Sequence, residues 1–343
     1  MITRAAGRGF SLTIAASLAF FTGGALAQSD GERLAAAQQE GQVTVYSSFP
    51  VARLRPVLDA FEADYPAISA EQLYAQTGQA ISRVLAEHDA GRRGFDILIT
   101  AWDPGYFTMD EQGALAHYDS PAAEQYDTQW AGPDHAWLNI WAGAQVIGYN
   151  TTLVDDPPQS WQDLADPRFE GQIAVGNPQT RGGVYWFYYH MYKLHGEQFL
   201  GELADNGVII APGPSAIAEW ITSGRAPIGV TTDYSIVTQQ DRGAPVDWVH
   251  PSEGVFFQVR GMAMAEDAPH PNAACIFYDW LVSEAGGQAV VDVLGLYSLN
   301  PNVAAPAGLP SLDELTILET DLEDFVEQEE SITQTATDLL GAE

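Results

Sequence analysis

The chain has 343 residues, 46% of them hydrophobic and 17% charged, which suffices for one large or two ordinary domains and excludes global disorder. Its 14 lysines and arginines face 46 aspartates and glutamates, a formal net charge of -32 at pH 7. A surface this acidic repels phosphate backbones and anionic lipid, so nucleic-acid binding is excluded and membrane-surface binding disfavoured, while a small ligand still meets only its local pocket.

The N-terminus reads as an export signal. Arg4 and Arg8 form a basic region, Phe10 to Phe21 an apolar stretch too short to anchor, and Ala25-Leu26-Ala27 a cleavage triplet. Cleavage after Ala27 is expected to give a soluble periplasmic chain beginning at Gln28, since no lipobox cysteine is present. No stable membrane insertion is expected. Cys275 is the single cysteine, so no intrachain disulfide forms, and a small buried side chain is the expected role.

Strand-like and helix-like segments then alternate. Val43–Tyr46 reads as a buried strand, followed by a turn at Ser47–Pro50 and a helix carrying Leu54, Val57, Leu58 and Phe61 on one face. Ile68–Ala75 is a second strand, Thr77-Gly78-Gln79 opens a helix through Ile81, Val84 and Leu85, and Phe95–Ile99 is a third strand. This βαβαβ opening predicts an α/β fold with a mainly parallel sheet, whose ligands lie beyond the carboxyl ends of its strands. The loops to watch are therefore Ser47–Pro50, Thr77–Gln79 and Ala101–Gly105.

A second α/β unit follows. Ala144–Asn150, Gln172–Gly176 and Pro227–Thr231 read as strands, with an aromatic helix over Val184–His195 and a shorter one over Ser215–Ser223. Gly254–Ala265 reads as a long strand and Asn272–Ser283 as a helix. The acidic tail, Leu312–Leu340, keeps helical spacing at Leu315, Leu322, Phe325 and Ile332. There is no G-x-S-x-G, H-E-x-x-H, P-loop or C-x-x-C, so an enzyme is not expected. His190 and His195 read as helix-surface residues, and Asp155-Asp156 as a loop pair.

These segments carry a resemblance. Gly41-Gln-Val-Thr-Val-Tyr-Ser47, Phe95–Ile99, Val146-Ile-Gly-Tyr-Asn150, Ser160-Trp-Gln-Asp-Leu-Ala-Asp-Pro-Arg-Phe-Glu-Gly-Gln-Ile173, Gly261–Ala265, Asn272–Leu281, Ser283–Gln288 and Tyr297-Ser-Leu-Asn-Pro301 occur in one order. Together they resemble the ferric-iron-type family of periplasmic solute-binding proteins of ABC importers. The resemblance implies a two-lobed periplasmic-binding-protein fold, type II-like, that closes on a ligand by hinge motion. It implies crossings near Leu138–Gly143 and Gly254–Val259. Lobe one is then 28–140 plus 258–310, lobe two 141–257, and 311–343 a helical segment packing on the lobes. The expected partners are a small-molecule ligand and an inner-membrane ABC permease. A monomer without cofactor is expected.

Iron members of that family hold metal with a histidine in the first loop, an acid in the third-strand loop and two adjacent tyrosines in lobe two. Here the first loop lacks histidine, Ala101 falls at the acid position, and Asp233 stands where the first tyrosine belongs, leaving Tyr234. An organic anion or zwitterion, such as a phosphonate or amino-acid-like compound, is therefore expected, with no metal site. Ferric iron on Asp233 and Tyr234 is the alternative, and an exported hydrolase using Asp103 or Asp233 the rival from another class. The ligand residues implied are Ser47, Ser48, Thr77, Gly78, Trp102, Asp103, Trp141, Thr180, Arg181, Gly182, Gly183, Thr232, Asp233 and Tyr234. Tyr185 is a further aromatic near the cleft. Arg181 with Gly182-Gly183 precedes a helix, where free N–H groups and a guanidinium suit an anion. The plainer alternative is an arginine solvating a glycine turn.

Overall fold

The computed structural model describes residues 30–102, 104–180 and 182–342. The expected signal segment and cleavage site lie outside the described residues, as do Asp103 and Arg181. The chain opens with α1 (Asp30–Glu40), β1 (Gln42–Ser47), α2 (Val51–Asp64), β2 (Ser69–Tyr74), α3 (Thr77–Asp89) and β3 (Ile97–Ala101). Leu54, Val57, Leu58 and Phe61 are the buried stripe of α2, as their spacing predicts. β1 lies parallel to both β2 and β3, so the loops after all three strands open at one edge.

After α4 (Gly105–Glu111) and β4 (Leu115–Ala116) comes β5 (Leu138–Asn150), the longest strand described. Its first half pairs antiparallel with β10 (Phe257–Ala265), as far as Ala144 opposite Phe257. From Gln145 onward it pairs with β8 (Ile228–Thr232) and β9 (Val246–Val249). One strand thus belongs to both halves of the 11-stranded sheet.

The second half holds β6 (Ile173–Gly176), α5 (Tyr185–His195), α6 (Glu197–Asp205), β7 (Ile209–Ala211), α7 (Pro214–Ser223) and α8 (Asp233–Gln240). β6 is parallel to β7 and to β8. The chain then returns through β10 to α9 (Pro271–Val282), α10 (Glu284–Leu294) and β11 (Tyr297–Ser298). β10 starts at Phe257, later than the sequence suggests, because Gly254 turns the backbone at φ 120° and Val255 bridges instead to Ile317. There the Val255 N–H donates to the Thr316 carbonyl (2.8 Å) and the Leu318 N–H to the Val255 carbonyl (2.7 Å).

The tail ends in α11 (Leu322–Leu340), laid against α5 and α6. Phe325 enters a cluster of rings, with centroids 4.4 Å from Tyr185, 4.6 Å from Trp186, 4.9 Å from Tyr189 and 5.6 Å from Trp102. This cover corrects the reading of His190, which is buried rather than on the surface. Its ring stacks on Phe256 at 4.4 Å, and burial pushes its pKa down to about 3. No helix among the described residues is long and apolar enough to cross a membrane.

Candidate functional site

The first three loops are tied together by backbone N–H groups bonded to the Ser47 and Ser48 hydroxyls and the Ser47 carbonyl. The buried Ser47 hydroxyl accepts the Phe49 N–H (3.1 Å), and the Ser48 hydroxyl accepts the Ala101 N–H (3.2 Å). The Ala75 N–H donates to the Ser47 carbonyl (3.0 Å), which brings in the loop before Thr77. Thr77 is half-buried, whereas Gly78 is exposed with open space around it.

Phe49 leans from this loop edge-on against Trp141 of β5, centroids 5.6 Å apart. Trp141 pairs in register with Arg260 of β10, and a β-bulge follows at Arg260/Gly261. The Arg260 guanidinium carbon lies 5.8 Å from the Phe49 ring. Its Nη1 donates to the Val259 carbonyl (3.2 Å) and its Nη2 to Gln258 Oε1 (3.0 Å). Burial lowers the pKa of this guanidinium, Tyr234 raises it as charge partner and hydrogen-bond acceptor, and nearby Arg53 lowers it.

Tyr234 reaches the same place from the opposite half. Its ring lies on the bare Gly143 of β5, where a Cβ would stand 2.8 Å from it. Arg53, in the first turn of α2, sits 5.8 Å from the Tyr234 ring and donates to the Leu294 carbonyl (3.1 Å). Arg53, Tyr234, Thr238, Arg242, Leu294 and Gly295 line a cleft of about 620 Å³ between α2 and α10 on one side and α8 on the other.

Asp233 is fully buried beside Tyr234. Its Oδ1 accepts the Tyr234 N–H (2.7 Å), while Oδ2 is buried with no partner among the described residues. Burial pushes its carboxyl up to about 7, against the lowering effect of the Tyr234, Ala144 and Asp233 N–H groups. Thr232 is buried and its hydroxyl shares a 2.7 Å hydrogen bond with Ser235.

The remaining expected residues divide. Gly183 approaches the crossing strands so closely that a Cβ would collide with the Gln258 amide. Gly182 beside it takes φ +52°. Thr180 is exposed, its hydroxyl donating to the Asn177 carbonyl (2.7 Å). Trp102 departs from its expected place at the ligand. Its ring is 1% exposed and packs edge-on against Phe107, Trp186 and Phe325, and Trp186 shares a recess with Phe257 and Val259, on the face of β10 opposite Arg260. Tyr185 joins the same layer, its hydroxyl donating to the Phe325 carbonyl (2.9 Å). Among the described residues no three His, Cys, Asp or Glu side chains are grouped to hold a metal.

Sequence reasoning did not single out Arg53, Gln258 or Arg260, which the fold brings beside Tyr234 and Gly183. The available signal was a lone arginine within the apolar run Val255-Phe-Phe-Gln-Val-Arg-Gly-Met262.

Residues 95–320 match the family of bacterial extracellular solute-binding proteins. Iron uptake protein A2 of Synechocystis is 26% identical over 310 residues, spanning 83% of this chain and 86% of that one. Iron-bound HitA from Pseudomonas aeruginosa superposes with a TM-score of 0.75 at 23% identity, over 87% of this chain and 99% of its own. AfuA from Actinobacillus pleuropneumoniae with fructose-6-phosphate gives a TM-score of 0.75 at 19% identity, over 88% and 99%. At these identities the structural likeness establishes the shared two-lobed fold.

Proposed function

This chain belongs to the bacterial extracellular solute-binding protein family, and from that premise we propose that it takes a small organic anion or zwitterion between its lobes and delivers it to an ABC permease. The observation that carries the reading is the arginine pair. Arg53 and Arg260 converge on Tyr234 from α2 and β10, and among the described residues neither has an ion-pair partner. In a chain with 46 acids and 14 bases, two neighbouring guanidiniums without an ion pair mark a place for a negative group, although Asp241 at the end of α8 and Asp292 of α10 line the same cleft farther along. An anion there offsets both the desolvation of Arg260 and its repulsion from Arg53. Asp233 supplies the opposite charge for an ammonium group once it is ionised, above about pH 7.

The lobes in this reading are 28–140 with 258–310 and 141–257, hinged where β5 exchanges β10 for β8, with 311–343 as a covering segment. The mature protein is a periplasmic monomer that does not turn its ligand over.

Native mass spectrometry of protein purified without refolding identifies a retained solute. Titration with 2-aminoethylphosphonate, inorganic phosphate and ferric citrate then separates the classes. An organic anion should raise the melting temperature, and Arg260→Gln should weaken its binding by at least tenfold, since a charge-assisted contact contributes about 1.5–3 kcal/mol. Unchanged affinity in Arg260→Gln overturns the reading. So does a coloured one-to-one ferric complex that survives desalting and is lost in Tyr234→Phe.

A further inference from the structure

Gln258 is only 6% exposed, two residues before Arg260 and so on the same face of β10. An amide side chain can present oxygen or nitrogen to either neighbour, but a guanidinium has donors only. The contact at 3.0 Å with Arg260 Nη2 therefore fixes Oε1 on the arginine side. Nε2 is left at the other end, against Gly183, where a Cβ would overlap it. The carboxamide is thus clamped between a cation and a bare stretch of backbone, its two N–H donors turned toward the loop before α5.

We propose that Gln258 is a positioning and specificity residue: it orients Arg260, and with Arg260 it presents a contiguous row of donors to an oxyanion having at least two acceptor oxygens. The proposal rests on the anion reading above. Glycine at 183 follows from it, because any side chain there would expel the amide from its seat. Glutamate at 258 has nearly the same shape but would neutralise Arg260 and set a negative charge beside the incoming anion. Leucine would leave the guanidinium with its carbonyl contacts and Tyr234 but nothing in place of the Gln258 side-chain oxygen.

The test uses the full mature chain, with calorimetric titration of inorganic phosphate and 2-aminoethylphosphonate into wild type, Gln258→Glu, Gln258→Leu, Gly183→Ala and Arg260→Gln. Gln258→Glu should lose on the order of a hundredfold in affinity, and Gln258→Leu and Gly183→Ala roughly tenfold. Gly201→Ala, in α6 with open space around it, should bind like wild type. A second measurement needs no ligand: nitrogen-15 spectra of the arginine side chains should resolve the two Nη groups of Arg260 in wild type and merge them in Gln258→Leu. If Arg260→Gln loses binding while both Gln258 variants keep it, this inference falls and the anion reading stands. If wild type binds neither anion, that reading falls for these classes, and the Arg260 spectra alone uphold or overturn the positioning role.

Discussion

Asp233→Asn should stabilise the folded chain at pH 8 by a few kcal/mol and leave it nearly unchanged at pH 4. The carboxyl is fully buried, with one oxygen bonded to the Tyr234 N–H and the other without a partner among the described residues. Burial raises its pKa to about 7, while an unfolded aspartate titrates near ~3.9. Between these values the folded chain holds a proton that the unfolded chain has released. Stability therefore falls as pH rises through that window and levels off above it. A gap of about three pH units corresponds to roughly 4 kcal/mol, as an order of magnitude. Asparagine keeps the accepting oxygen and cannot ionise, so the penalty vanishes. His190 acts in the opposite sense: its folded pKa of about 3 removes stability as pH falls below its unfolded value near ~6.5. That contribution is common to both proteins and cancels in their difference. Urea unfolding of both from pH 4 to pH 8 gives the difference curve. A flat curve would show that Asp233 is ionised throughout.

The alternation of elements was legible because each reflects a local pattern. The stripe of α2 and the apolar runs of β1 and β3 needed only neighbours in sequence. The ends of elements were less so: β3 runs from Ile97 to Ala101 rather than Phe95 to Ile99, and β10 starts only once Val255 has bridged to the tail. In α5 seven consecutive residues, Tyr185 to Met191, are buried. A helix covered on all sides has no stripe, so His190 could not be told from a surface residue. The loops after β1, β3 and β8 and the crossing strand were legible as elements, and Ser47, Ser48, Trp141 and Tyr234 lie on or beside them. Which way Trp102 turned depended on Phe325, far along the chain. The arginines failed the search for a different reason. A motif search looks in loops, whereas Arg260 projects from the middle of a strand that the fold places at the crossing, and Arg53 from the first turn of a helix.

Phe325→Ala should be the most destabilising of the substitutions considered, at about 3–5 kcal/mol, because little can collapse into the space it leaves. Phe325 is 1% exposed and lies within 5 Å, centroid to centroid, of Tyr185, Trp186 and Tyr189. These are rigid rings on one helix, held in part by the Tyr185 hydroxyl on the Phe325 carbonyl and the Tyr189 hydroxyl on Asp324 (2.7 Å). The fourth neighbour, Trp102, comes from the loop after β3, whose Trp102 N–H is tied to the Val259 carbonyl (3.1 Å). One phenyl ring thus joins the tail, α5 and the third-strand loop. The melting temperature should fall by roughly 5–15 °C. Tryptophan emission should shift to the red as Trp102 and Trp186 lose a packing partner. Glu327→Ala, exposed two residues later on the same helix, is the control and should stay within about 0.5 kcal/mol of wild type. A loss below about 1 kcal/mol in Phe325→Ala, against the 3–5 kcal/mol expected for a buried phenylalanine, would mean that α11 covers α5 without anchoring it.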